Sequence, residues 1–248
     1  MIAASTNKPT VSPVGLESLQ GKRVLLARPT PEQASFLCQC YENDEFMDLY
    51  RLSQSRQQTE EQIRERLTKE QKFLPQQLKR IEWVIHYLEG EGENVVKCPI
   101  GLTSLAAYQQ RHRRAEFSLG IVRSEDRVGG VTLESYLLSL DFAFNVIKLH
   151  KVFNYIYEYN ANAQKNALEA GFTQDGFLRD HIKTPNGFIG LYMNSLLAEE
   201  FHTNKRLSRL SQRMLKRDIT VKPASPQMFS PEELVQATKI LRQNHPSF

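Results

Sequence analysis

The sequence has little of what would place it in several broad classes. Among its 248 residues are three cysteines (Cys38, Cys40, Cys98) and one tryptophan. Three scattered thiols cannot form a disulfide framework, and Cys38-x-Cys40 has no His or Cys partner at metal spacing. Free thiols are therefore expected. The six histidines also fall at no ligand spacing, so no metal is expected. No stretch approaches the ~20 apolar residues of a membrane span, which argues against a membrane partner. The opening residues, MIAASTNKPTVSPVG, lack the apolar core of a signal peptide, and a cytoplasmic location is expected. There is no large excess of one charge either: 32 basic and 28 acidic residues leave a net +4. That balance argues against a dedicated nucleic-acid binder.

What is present is ordinary globular composition, 40% hydrophobic and 24% charged. Residues 1–20 are rich in Ser, Thr and Pro and read as a flexible arm. KRVLLAR (22–28) reads as a strand. Thr30 and Pro31 then open a helix that runs toward an Asp/Asn-rich break at 43–44. Thr59 with Gln62 forms a capping box for a second helix. Residues 81–88, 95–108 and 116–122 are apolar runs joined by short polar turns, an antiparallel meander with an irregularity at Pro99.

The most informative stretch is 117–172. It reads strand, loop, long helix, strand, short helix. Between strand and helix lies Arg127-Val-Gly-Gly-Val-Thr132. A glycine pair at a helix start offers free backbone N–H groups and the positive end of the dipole, a setting suited to phosphate. From Thr132, apolar residues Leu133, Tyr136, Leu137, Leu140, Phe144 and Ile147 recur at helical spacing. Residues 151–159 form a strand with Phe153, Tyr155, Tyr157 and Tyr159 at alternate positions. Asn160 opens a short helix that Gly171 stops, and 172–182 and 188–197 form a hairpin across Pro185-Asn-Gly187. Beyond Phe201 the sequence changes. Residues 203–217 carry six Lys or Arg and no acid before position 218, and a capped helix is expected from Ser230. The basic segment reads as a solvated helix face rather than a nucleic-acid site.

In order and in motif, residues 21–201 resemble the GNAT superfamily of acyl-CoA-dependent N-acyltransferases. The resemblance is to the branch with ribosomal-protein N-terminal, amino-sugar and polyamine acetyltransferases. Arg127, Gly130 and Thr132 fall on the marked positions of that family's phosphate loop, Gln/Arg-x-x-Gly-x-Gly/Ala, and Glu134 matches a Glu common in the branch. Leu149-His-Lys-Val152, Asn160, Gly171-Phe172, Phe177-Leu-Arg-Asp180 and Leu196-Leu-Ala-Glu-Glu200 keep the register. The resemblance implies an α/β (α+β) domain at 21–201, with a mixed, mostly antiparallel sheet splayed between the strand ending at Val122 and that starting at Lys151. Residues 202–248 would be a helical appendage. It implies acetyl transfer from acetyl-CoA, or another short acyl-CoA, to a primary amine on a small molecule or peptide. A homodimer is left open. Thr132 replaces the usual Gly or Ala, Ala163 the usual Ser, and Ala167 a Tyr that many members carry on the cofactor helix.

The implied cofactor-binding residues are Ile121, Val122, Arg127, Val128, Gly129, Gly130, Val131, Thr132 and Asn160. The implied catalytic residues are Glu116, Ser118 and Tyr157. Glu116 is the candidate base, because an amine of pKa about 10.4 must lose a proton before attack. A strand-end carboxylate paired with Arg113 or Arg114 is an equal reading of Glu116. Ser118, Tyr155 and Tyr157 are the candidates for the acid, and core packing is the competing reading of each tyrosine. Arg111-His-Arg-Arg114 begins the strand that feeds the loop, roughly 20 Å from the phosphates, and is expected to face the acceptor if it has a role. A non-catalytic acyl-CoA-binding or scaffolding protein is the alternative, favoured by the changes at Ala163 and Ala167.

Overall fold

The computed structural model describes residues 18–50, 58–73, 77–90 and 95–223. The first seventeen residues of the expected arm, most of the acidic turn at 89–94 and the helix expected from Ser230 lie outside them. One eight-stranded sheet organises the chain, in the order β1-β2-β3-β4-β5-β6-β8-β7. Its strands are β1 Ser18–Gln20, β2 Val24–Ala27, β3 Ile81–Glu89, β4 Val96–Gln109, β5 Arg114–Ile121, β6 Lys151–Tyr157, β7 Thr173–Thr184 and β8 Gly187–Leu197. The helices are α1 Ala34–Glu42, α2 Asp44–Tyr50, α3 Glu60–Glu70, α4 Val131–Asp141, α5 Ala161–Glu169, α6 Ala198–Thr203 and α7 Lys205–Leu215. This is the mixed, mostly antiparallel sheet flanked by helices that the sequence implied.

Two elements depart from expectation. Ser18–Gln20, the end of the supposed arm, is a strand, because it can pair with Leu25–Ala27 across a tight turn. The Asp/Asn-rich break is a helix start: the Asn43 side chain accepts the N–H of Phe46 at 2.9 Å and so caps α2. The capping box at Thr59 and Gln62 is present, as is the β3-β4-β5 meander. The irregularity expected near Pro99 is a register shift in β4, where Ile85 faces Gly101 and His86 faces Pro99.

The sheet has a core on each face. On one, α4 and α5 cover Trp83, Ile85, Phe117, Ile121 and Val152. On the other, α1, α2 and α3 cover Val84 and Leu102. Helix α4 ends in a π-helical turn, Phe142–Val146, with the Ile147 N–H donating to the Phe142 carbonyl at 3.0 Å. Residues 202–223 of the expected appendage pack into the first core through Leu207 and Ile219, each at most 1% exposed.

Between β5 and β6 the sheet opens. Their parallel pairing covers three steps, Arg114 with Lys151, Ala115 with Val152 and Glu116 with Phe153, and then ends. Strand β5 stays paired to β4 as far as Ile121, and β6 to β8 as far as Tyr157. The two halves of the sheet therefore diverge from Glu116 onward.

Glu134 fixes the helix beside this opening. It lies in the first turn of α4, where the dipole favours a carboxylate, and is 1% exposed. Its Oε1 accepts the backbone N–H groups of Lys22 and Arg23, the latter at 3.0 Å, and so ties the β1–β2 turn to α4. Glu134→Ala would leave both amides without an acceptor, and we expect a loss of about 2–4 kcal/mol. Glu134→Gln keeps an acceptor oxygen and should lose less. Denaturant unfolding followed by fluorescence of Trp83, the single tryptophan and 1% exposed, measures both. An alanine variant as stable as the parent would rule out this tie.

Candidate active site

The opening holds a cleft of about 530 Å³ that reaches both faces of the sheet. Strand alternation assigns its walls. Ala115, Phe117 and Ile121 belong to the α4-side core, so Glu116, Ser118 and Gly120 point to the α2 side. Gly120 confirms this, because a Cβ there would meet the Phe46 and Tyr50 rings of α2. On β6, Val152 and Ile156 share the α4-side core, and Asn154 lies on that face. Phe153, Tyr155 and Tyr157 then point to the α2 side. The α2-side wall thus contains Leu49, Tyr50, Ser118, Tyr155 and Tyr157. The α4-side wall draws on α4 (Thr132, Tyr136), α5 (Ala163, Ala167) and α7 (Arg206, Arg213).

The loop before α4 leads into this wall at Thr132. Gly129 and Gly130 have φ of 54° and 86°, left-handed values that a side chain would strain. The turn closes on itself: Arg127 N–H donates to Ser124 O at 3.1 Å and Val131 N–H to Val128 O at 3.0 Å. The amides of Gly129, Gly130 and Thr132 find no backbone acceptor among the described residues, and they sit at the positive end of α4. Arg127 is exposed, and its neighbour Asp126 is engaged by Arg123 at 2.9 Å. Asn160 caps α5, its Oδ1 accepting Ala163 N–H at 3.1 Å, and it lines the cleft.

Of the residues named from sequence, Ser118, Tyr157, Thr132 and Asn160 come together in the cleft walls. Glu116 does not line the cleft. It stands half-buried where the strands part, on the same face as Ser118. Val128, Gly129 and Gly130 are exposed in the loop that leads to Thr132. For two of the implied cofactor-binding residues the backbone N–H is already engaged. The N–H of Val122 is held by Ile100 O at 2.9 Å, because the β4 bulge turns that carbonyl toward it. The N–H of Val131 is spent inside the turn, and its side chain is fully buried. By alternation it is Phe117, Leu119 and Ile121 whose backbone groups face the departed β6. Arg111, His112, Arg113 and Arg114 line no part of the cleft. Arg113 donates to Lys148 O at 2.8 Å, and Arg114 to Gln109 at 3.2 Å.

Three features of the site escape sequence reading. The first is a buried amide network. Asn194 donates to Asn154 Oδ1 at 3.0 Å and exchanges hydrogen bonds with Gln164 at 2.9 Å, joining β8, β6 and α5 beneath the cleft. The second is Tyr136, a member of the apolar stripe of α4. Its ring lies edge-on to Phe117 at 5.2 Å and tilted to Phe172 at 6.3 Å, and it lines the cleft. Its hydroxyl is buried without a hydrogen-bond partner among the described residues, and burial pushes the phenol well above its ordinary pKa. The third is the wall supplied by α7. Its only sequence signal is the i, i+4, i+7 spacing of Arg206, Leu210 and Arg213.

Comparison with known proteins gives this arrangement a family. The profile of the acetyltransferase (GNAT) domain matches residues 23–173. YoaA of Bacillus subtilis (strain 168), described as an uncharacterized N-acetyltransferase, is 26% identical over 166 residues, 66% of this chain and 87% of that protein. The spermidine N(1)-acetyltransferase of Vibrio cholerae is 31% identical over 86 residues, 35% of this chain and 49% of its own. The crystal structure of the Vibrio cholerae spermidine N-acetyltransferase in complex with CoA and spermine has a TM-score of 0.61 at 19% identity, covering 72% of this chain and 97% of that one. The structural likeness shows a shared fold. The profile match runs from β2 to the first residue of β7 and takes in the loop, both strands of the opening and α5. The chain belongs to the GNAT acetyltransferase family and is an N-acetyltransferase.

Proposed function

We propose that the protein transfers the acetyl group of acetyl-CoA to the primary amine of an acceptor that enters from the α2 side, by direct attack in a ternary complex. The observation that carries this reading is the through-going cleft. Its phosphate loop lies on the α4 side, and an aromatic wall (Tyr50, Tyr155, Tyr157) lies on the other. A thioester held along β5 can therefore be met by an amine from the opposite face. The relatives named for spermidine make a polyamine one acceptor class to test. However, Glu169 is the sole acid among the described residues that line the cleft, and it is paired to Arg206 at 2.8 Å. Aromatic and uncharged groups suit an amine carried on a neutral body better than a polycation.

The amides of Gly129, Gly130 and Thr132 hold the pyrophosphate, with Arg127 adding a charge-assisted contact. The free backbone edge of Phe117, Leu119 and Ile121 pairs with the pantetheine arm. An N–H on that edge stabilises charge on the thioester oxygen. Glu116, on the acceptor side of the parting strands, takes the amine proton directly or through water. Tyr136 is the acid. Its ring lines the cleft, its hydroxyl has no hydrogen-bond partner among the described residues, and a phenol reached by the bound thioester passes its proton to the thiolate as the C–S bond breaks. Ser118 and Tyr157 orient the acceptor. The three unpaired thiols of Cys38, Cys40 and Cys98 support the cytoplasm as compartment.

Free-thiol release from acetyl-CoA over a panel of aminoacyl peptides, amino-sugar nucleotides and polyamines tests the transfer. Turnover should favour acceptors on a neutral body. Coenzyme binding with no turnover on any amine would end the reading. Glu116→Gln should lower kcat/KM for the best acceptor by about a hundredfold. Tyr136→Phe should lower kcat by about tenfold while leaving the melting temperature equal or higher, since no hydrogen bond is lost. A Tyr136→Phe enzyme of full kcat would remove Tyr136 as the acid.

A further inference from the structure

Helix α7 pairs with no strand and contributes nothing to the phosphate loop's own turn, yet it closes one side of the cleft. Two adjacent stripes of the helix do different work. Leu207 and Ser211 are fully buried against the core. Arg206, Leu210 and Arg213 line the cleft.

The helix is held firmly. Asn204 caps it, accepting the N–H groups of Arg206 and Leu207 at 3.0 Å. Arg206 bridges to Glu169 of α5 at 2.8 Å, and Arg217 to Asp141 of α4 at 2.5 Å. The chain after the helix is pinned as well. Ile219 N–H donates to Ser211 Oγ at 3.2 Å, and Asn145 donates to Ile219 O at 2.6 Å.

Met214 brings this helix onto the loop. Its methyl lies 2.8 Å from where a Cβ on Gly130 would stand, so α7 packs against the residue that opens α4. Arg213 is the neighbour of Met214 and turns into the cleft. The arginines of α7 and of the residues just after it are not equivalent. Arg206 and Arg217 are neutralised by carboxylates, whereas Arg213 has no acidic partner among the described residues. Arg209 lies off the cleft, its Nε donating to Lys205 O at 3.3 Å.

We propose that Arg213 is a phosphate-binding residue of the acyl-CoA site, facing the pyrophosphate from the side opposite the Gly129–Gly130 amides. This rests on the acyltransferase reading above. The loop presents amide dipoles from one helix start, and α7 presents a guanidinium from the other side. The dianion is thereby held between them. The Arg206–Glu169 bridge has a separate role: it straps α7 to α5 and keeps Arg213 over the loop. A planar guanidinium suits this task better than an ammonium, because it can meet two phosphate oxygens at once.

Titration calorimetry of the full chain with CoA tests the assignment, with Arg209→Ala as a control that removes the same charge from the same helix outside the cleft. Arg213→Ala should weaken CoA binding roughly five- to tenfold, and Arg209→Ala by less than about twofold. The ratio of kcat/KM for acetyl-CoA to that for S-acetylpantetheine, which carries no pyrophosphate, should fall by the same five- to tenfold factor in Arg213→Ala only. Equal CoA affinities for the two variants would overturn the proposal. So would a loss in Arg213→Ala that is the same for both thioesters, since that would mean a displaced helix. If the parent protein binds CoA and Arg213→Ala binds it equally well, this inference alone fails. If the parent itself does not bind CoA, the acyltransferase reading fails first.

Discussion

The structure depends on a pairing that stops. Strands β5 and β6 hold each other for three residue pairs and then part, although each stays fully paired on its outer side. Each half of the sheet is thus complete except along one inner edge. Backbone groups on such an edge need a partner, and a ligand with amide groups of its own is a natural one. The parting is held open by different devices on its two sides. Tyr136 packs edge-on to Phe117 and holds α4 to the β5 half. The Asn154–Asn194–Gln164 network holds α5 to the β6–β8 half. Apolar packing sets one wall and a satisfied polar network the other, so neither half collapses onto its neighbour.

Much of the architecture was legible because its signals are local. The capping box at Thr59, the alternation along 151–157, the turn at Pro185-Asn-Gly187 and the glycine pair each depend on a few neighbouring residues. The elements that escaped depend on distant partners or on a weak cap. Strand β1 has three residues and exists because β2 folds back beside it. Helix α2 hangs on Asn43, which in a run of acids and amides reads equally well as a break. The docking of α7 could not be read from 203–217, because a basic helix looks solvated until the groove beneath it is known. What ties it down is Leu207, Ser211 and Ile219, small or apolar residues with no motif.

The site divides in the same way. The turn at Gly129–Gly130 was legible because it is a backbone feature at a helix start, and glycines announce it. Which amides remain available was not legible. Val122 and Val131 sit at the right places in sequence, but their N–H groups are taken by Ile100 and Val128. Hydrogen-bond accounting needs three dimensions, because the β4 bulge that turns the Ile100 carbonyl toward Val122 is a register event between two strands. Glu116 shows the opposite case. Its place near the start of the strand was readable from sequence, and the β5–β6 pairing ends at that residue.

The replacement of the usual tyrosine by Ala167 changes meaning in this setting. Read alone, it removes a hydroxyl from α5. In the structure, Ala167 is 5% exposed in the cleft wall, and its carbonyl accepts the N–H of Phe172 at 3.0 Å. The Phe172 ring in turn lies 6.3 Å from that of Tyr136. The aromatic space at the vertex is therefore filled from α4 rather than from α5, and a small residue at 167 leaves room for it. A large side chain at 167 would instead extend into the cleft that Ala167 lines together with Tyr136. The same reasoning applies to Thr132. It is exposed at the rim, past the two glycines whose left-handed backbone shapes the loop, so its extra bulk leaves the turn and the Gly129 and Gly130 amides where they are.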